Sequence, residues 1–150
     1  MYKRILVPAD GSDTSEAGLR EALELAKEHP GVQIRVVHVV DGLFTVMPEL
    51  YGTAYEAVTD SVRKAGAALL AHTEIIAREY GVTVETELIE AMGGPAGELV
   101  IKAAKEWAAD LIVCGTHGRR GLRRIVMGSD AEYIVRHTPV PILLIRKDGR

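Results

Sequence analysis

A single cysteine, Cys114, in 150 residues excludes an internal disulfide, and none of the usual zinc-ligand spacings can be assembled around it. No apolar run approaches the ~20 residues that a bilayer-spanning helix needs. Neither sign of charge is in large excess. The net charge of −3 argues against a nucleic-acid-binding protein and against a polybasic membrane binder. Two nucleotide signatures are also missing. Without a G-x-x-x-x-G-K-[ST] there is no P-loop, and without a G-x-G-x-x-G after the first apolar run there is no dinucleotide fingerprint. Met1-Tyr2-Lys3-Arg4 leads straight into Ile5-Leu6-Val7, without the apolar core or cleavage site of a secretory signal. With one thiol and no signal, the expected location is the reducing cytoplasm.

The remaining composition, 47% hydrophobic and 26% charged, suits a folded domain, and the length fits one such domain over residues 1–150. Strand and helix patterns alternate along it. Ile5-Leu6-Val7 is a short apolar run that ends in the turn residues Pro8-Ala9-Asp10-Gly11-Ser12. A helix starts near Asp13, with Glu16 three residues on as in a capping box. It buries Leu19, Ala22, Leu23 and Ala26, and stops at His29-Pro30-Gly31. Val32–Val40 reads as the second strand. Residues 41–52 lack a period and read as a long loop. The next helix runs to Gly81 with Val58, Val62, Ala65, Leu69, His72 and Ile76 on its apolar stripe. Val82–Ile89 alternates as a half-exposed edge strand does. Pro95 opens a third helix, faced by Leu99, Val100, Ala103, Ala104 and Trp107. Leu111-Ile112-Val113-Cys114 has the pattern of a strand buried on both faces. A glycine-rich stretch, 115–128, precedes a short helix from Ser129 to about Arg136, and Val140–Ile145 is the last strand. Five strands separated by helices imply an α/β fold with one open, doubly wound parallel sheet and helices on both faces.

Ligands of such sheets bind beyond the carboxyl ends of the strands, where the strand order reverses. Two clusters of small and polar residues fall at such ends: Pro8 to Ser12 after strand one, and Gly115-Thr116-His117-Gly118 after strand four. If those strands are neighbours, the clusters face each other across one crevice. Gly115 and Gly118 would let backbone amides approach an anion without a Cβ in the way. Gly128-Ser129 opens a helix, whose N-terminus offers free N–H groups and a positive dipole end. Ser129-x-x-Glu132 is equally a capping box. Arg119, Arg120, Arg123 and Arg124 suit either a polyphosphate or a solvated loop. No serine, cysteine or carboxylate near His117 in sequence suggests a nucleophile–base arrangement, and Asp41 alone does not make a hydrolase. His72 reads as packed or at the boundary, Cys114 as an inert buried thiol and Trp107 as core.

The spacing G-x2-G-x9-G-S (Gly115, Gly118, Gly128, Ser129) resembles the nucleotide-binding motif of universal stress proteins. The resemblance extends over the whole chain, through Ile5–Ser12, His38-Val39-Val40 and Thr138–Ile145. It implies the strand order 3-2-1-4-5. It implies ATP or another adenine nucleotide as ligand, with Mg among the phosphates. Pro8, Ala9 and Asp10 and the backbone of Val39 would lie by the adenine and ribose; Gly115, His117, Gly118, Arg119, Gly128, Ser129 and Asp130 would lie by the ribose and phosphates. Asp130 departs from a position that is often uncharged in the family, and puts a carboxylate near phosphate. The very apolar last strand would be an exposed edge in a monomer, so a homodimer paired through Val140–Ile145 is expected. The readings weighed against this stress-response ATP binder are a same-fold interaction module without nucleotide and a slow ATPase.

Overall fold

The computed structural model describes residues 1–41, 53–116 and 127–146, with the backbone alone at Asp41, Thr53 and Ala54. Along the chain it forms β1 (Arg4–Pro8), α1 (Asp13–Glu28), β2 (Gln33–Asp41), α2 (Thr53–Glu79), β3 (Val84–Ala91), α3 (Ala96–Glu106), β4 (Leu111–Gly115), α4 (Ser129–His137) and β5 (Ile142–Ile145). The five strands form one parallel sheet in the order β3-β2-β1-β4-β5. The sequence expectation of five parallel strands in this order is therefore met. The reversal lies between β1 and β4, which pair Ile5 with Leu111 and Leu6 with Ile112.

Because side chains alternate along a strand, the central strands supply two cores. Ile5, Val7, Ile34, Val36, Leu111 and Val113 pack beneath α1 (Leu19, Ala22, Leu23, Ala26) and α2 (Leu70, Ile76, Ala77). Leu6, Val37, Ile112 and Cys114 pack beneath α3 (Val100, Ala103, Ala104), Trp107 at its C-terminus, and Ile134 of α4. Each large aliphatic side chain fully buried here contributes about 1.5–3 kcal/mol. Edge strand β3 exposes Glu85 and carries a half-buried Glu87; both pair with Arg35 of β2, whose guanidinium lies 4.9 Å from the centre of the Trp107 ring. Among the described residues no helix is long and apolar enough to cross a membrane.

Several local expectations change. The cap of α1 is Ser12, not Asp13: its hydroxyl accepts from Ser15 N–H, and Glu16 pairs with Arg20 one turn along instead of reaching back. The buried stripe of α2 is Gly66, Leu70, Thr73, Ile76 and Ala77, with Val62 and Leu69 half-buried. Val58, Ala65 and His72 are exposed, so His72 is not packed. The physical reason is Gly66. A Cβ there would lie 2.7 Å from Leu88 Cδ1 and 3.1 Å from His38 Cδ2, so the helix approaches the sheet at a residue with no side chain. Strand β3 starts at Val84 rather than Val82, and β5 at Ile142 rather than Val140. Pro141, which cannot donate to a ladder, stands just before β5.

Candidate functional site

The carboxyl end of β1 is held by a chain of hydrogen bonds. Ala9 N–H donates to Val37 O at 2.8 Å, and the buried His38 meets Ala9 O through Nδ1 at 2.7 Å. A carbonyl only accepts, so Nδ1 carries the proton. Asp10 N–H donates to Ser15 Oγ at 3.1 Å, and Asp10 Oδ1 accepts from Ser12 N–H at 2.9 Å. Gly11 between them has φ +79°, a left-handed conformation open to glycine at little cost. These bonds carry Pro8–Ser12 into the first turn of α1 with Asp10 half-buried.

Beside it, the end of β4 is pressed against that same turn. A Cβ on Gly115 would lie 2.6 Å from the carbonyl carbon and oxygen of Thr14. Gly115 thus has a packing requirement of its own, whatever else its backbone does. Gly18 answers it from α1, where a Cβ would sit 3.4 Å from Cys114 C and Gly115 N. The next residue, Thr116, joins two elements: its N–H donates to Ile145 O at 2.9 Å, and its carbonyl accepts from Gly128 N–H at 2.9 Å. That second bond closes the base of the glycine-rich loop and sets the start of α4 on the end of β4. About the crevice expected from the sequence, β1's turn thus lies on one side and Gly115, Thr116 and Gly128 on the other, with Gly115 close against the backbone of Thr14.

Of the helices that begin at this end of the sheet, α1, α3 and α4 have first turns that are treated differently. At α1, Ser12 supplies a capping oxygen. At α3, the N-cap Pro95 makes no side-chain cap bond; the carboxylate of Asp130, from α4, accepts from Gly97 N–H at 3.3 Å instead. At α4 the N-cap is Gly128, extended at φ −61° and ψ 149°. Ser129 lies one residue inside the helix and is not its cap, which overturns the capping-box reading. Glycine has no side chain with which to cap, so the first turn of α4 starts at the end of β4 without a capping group from its own N-cap residue.

Of the residues singled out in the sequence, Pro8, Ala9, Asp10, Gly115, Gly128, Ser129 and Asp130 come together at this end. Val39 lies in β2, half-buried and in register with Ile89 of β3. His117, Gly118 and Arg119 lie outside the described residues, as do Arg120, Arg123, Arg124, Phe44, Met47 and Tyr51. Trp107 and Cys114 are core, as expected, and burial pushes the Cys114 thiol up to about 12. His38, Ser15 and Thr116 were missed as positioning groups. A polar residue inside an apolar strand (His38) and a serine three positions past the cap (Ser15) were the available signals. Thr116 carried none, because its role is that of its backbone. Among the described residues no group of three or more His, Cys, Asp or Glu is arranged to hold a metal ion.

A sequence profile of the universal stress protein family matches residues 1–146. The universal stress protein MJ0531 of Methanocaldococcus jannaschii is 36% identical over 148 residues, covering 98% of this chain and 84% of its own. In structure the chain resembles the hypothetical protein MJ0577, at a TM-score of 0.84 and 22% identity over 100% of this chain and 99% of that one. It also resembles a universal stress protein from Archaeoglobus fulgidus solved in complex with dAMP. That match has a TM-score of 0.70 and 26% identity over 96% of this chain and 98% of that one.

Proposed function

The chain belongs to the universal stress protein family, and from that premise we propose that it binds an adenine nucleotide, ATP with Mg, in the crevice between the ends of β1 and β4. The observation that carries this reading is the Gly128 N–H to Thr116 O bond, which sets a helix N-terminus without a capping side chain at the end of β4, the strand next to β1 in the sheet. Such a terminus favours a phosphate through its free N–H groups and dipole. The dAMP complex of a similar protein supports adenine as the base.

In this reading Pro8, Ala9, Asp10 and the backbone of Val39 flank the adenosine. Asp10, oriented by its bond to Ser12 N–H, accepts from the ribose. Gly115, His117, Gly118 and Arg119 line the sugar and phosphates, and the amides of Gly128, Ser129 and Asp130 face phosphate. Mg would offset the phosphate charge, and because it usually keeps several of its waters it would require few protein ligands. The whole chain, 1–150, acts as one nucleotide-binding domain. It is a cytoplasmic stress-response regulator whose output depends on occupancy, and it pairs with a second copy through Val140–Ile145.

Substitution of Gly128 by Ala tests the reading. The backbone angles there suit any residue, so the fold survives and circular dichroism is unchanged. A methyl group among the phosphate-facing amides is expected to weaken Mg-ATP at least about tenfold, a cost of about 1.4 kcal/mol. Unchanged affinity would remove the α4 terminus from the site.

A further inference from the structure

The nucleotide reading uses the amide of Asp130 but leaves its carboxylate without a role. Asp130 follows Gly128-Ser129 directly, where an anionic ligand is least helped by a carboxylate, yet its carboxylate is committed. It accepts from Gly97 N–H at 3.3 Å and so caps a neighbouring helix whose own N-cap, Pro95, has no capping group. The two helix starts are packed closely enough that a Cβ on Gly97 would lie 3.0 Å from Asp130 O and 3.0 Å from Tyr133 Cβ. The Asp130 carboxylate therefore bridges the first turns of α3 and α4, which also carry Glu98 and Glu132, and it belongs to the same turn whose amides the nucleotide reading gives to phosphate.

We propose that Asp130 is a specificity residue that sets how much charge the phosphate subsite accepts. It disfavours the free, highly charged triphosphate and favours an adenine nucleotide whose phosphate charge is low or is complexed by a divalent cation. This inference rests on the nucleotide reading above. The physical basis is like-charge repulsion at short range, which grows with each added phosphate charge and falls when a cation or salt screens it. Asp130→Asn keeps an oxygen for Gly97 N–H while removing the charge, and Asp130→Ser is a second neutral residue with an oxygen acceptor. Asp130→Ala removes charge and cap together.

The experiment is a calorimetric titration of the nucleotide-stripped full chain and its Asp130→Asn and Asp130→Ser variants with adenosine, AMP, ATP without Mg, and Mg-ATP, at low and high salt. The expected result is a rise of about tenfold in affinity for free ATP in both neutral variants, a smaller rise for AMP and Mg-ATP, and a change within about twofold for adenosine; the ATP effect shrinks at high salt. If the wild type binds these ligands but the ATP-to-adenosine ratio is the same in the neutral variants, Asp130 is only the cap of α3 and the inference is overturned. Asp130→Ala then shows the loss of melting temperature that a cap alone predicts. If the wild type binds none of the four ligands, the nucleotide reading itself fails and the inference falls with it.

Discussion

At the inner end of β4 the Cys114 thiol is 3% exposed, and burial alone pushes it from 9.0 up to about 12. The unfolded chain would ionise this thiol near its ordinary value, while the folded chain keeps it protonated. Below about 9 both states hold the proton and stability is unaffected by it. Between 9 and 12 only the unfolded state loses the proton, so stability falls as pH rises through that window. Alkylation by iodoacetamide at pH 8 should accordingly be at least about tenfold slower in native buffer than in denaturant, because the thiolate is the nucleophile. Comparable rates would mean that the end of β4 opens readily. The turn before α1 offers a second residue-scale check. Ser12→Ala removes the oxygen that accepts from Ser15 N–H and should cost about 1 kcal/mol in urea denaturation. Asp13→Ala should cost less, because Asp13 is the first helical residue and not the cap. The sequence placed that cap one residue late, since Ser12 and Asp13 are both good caps and only backbone angles separate them. The buried His38 was visible as a residue but not as a support, because its partner is a carbonyl 29 positions away.

Among the elements, α1 and β4 were each legible, and their contact was not. The period of Leu19, Ala22, Leu23 and Ala26 marks the buried face of α1, and the unbroken Leu111–Cys114 run marks a strand covered on both sides. What brings the helix start down onto the strand end is two glycines, Gly18 and Gly115, and hydrophobic periodicity is blind to a residue whose contribution is the lack of a Cβ. The same blindness misplaced the α2 stripe at Gly66. Gly115→Ala is therefore expected to destabilise the fold by about 1–3 kcal/mol through overpacking, since the new methyl would meet backbone 2.6 Å away that cannot rotate aside. Denaturant midpoints of wild type and variant measure it. Equal midpoints would show that α1 shifts outward freely, and would return Gly115 to a purely ligand-facing role. Helix α4 was anticipated within a residue at its C-terminal end, yet its first turn was misread. Ser129-x-x-Glu132 fits a capping box in sequence, but the chain turns one residue earlier, at Gly128.

For the molecule as a whole, the alternation of strands and helices determined a parallel sheet, and the family resemblance supplied the order β3-β2-β1-β4-β5 that the structure has. That order brings the Pro8–Ser12 turn next to Gly115-Thr116, which no local pattern could have shown, because 100 or more residues separate them. It also leaves β5 at an edge, with Ile142–Ile145 all half-buried. An apolar edge of this kind is expected to be paired, so light scattering at micromolar concentration should give twice the chain mass; a monomer would contradict the proposed interface. In the function proposed above, an adenine nucleotide lies between the ends of β1 and β4 with its phosphates on the first turn of α4. The most direct measurement is a calorimetric titration of the nucleotide-stripped protein with Mg-ATP, with Mg-GTP alongside. Saturable binding that prefers Mg-ATP is the predicted result; a folded protein that binds neither would contradict the claim.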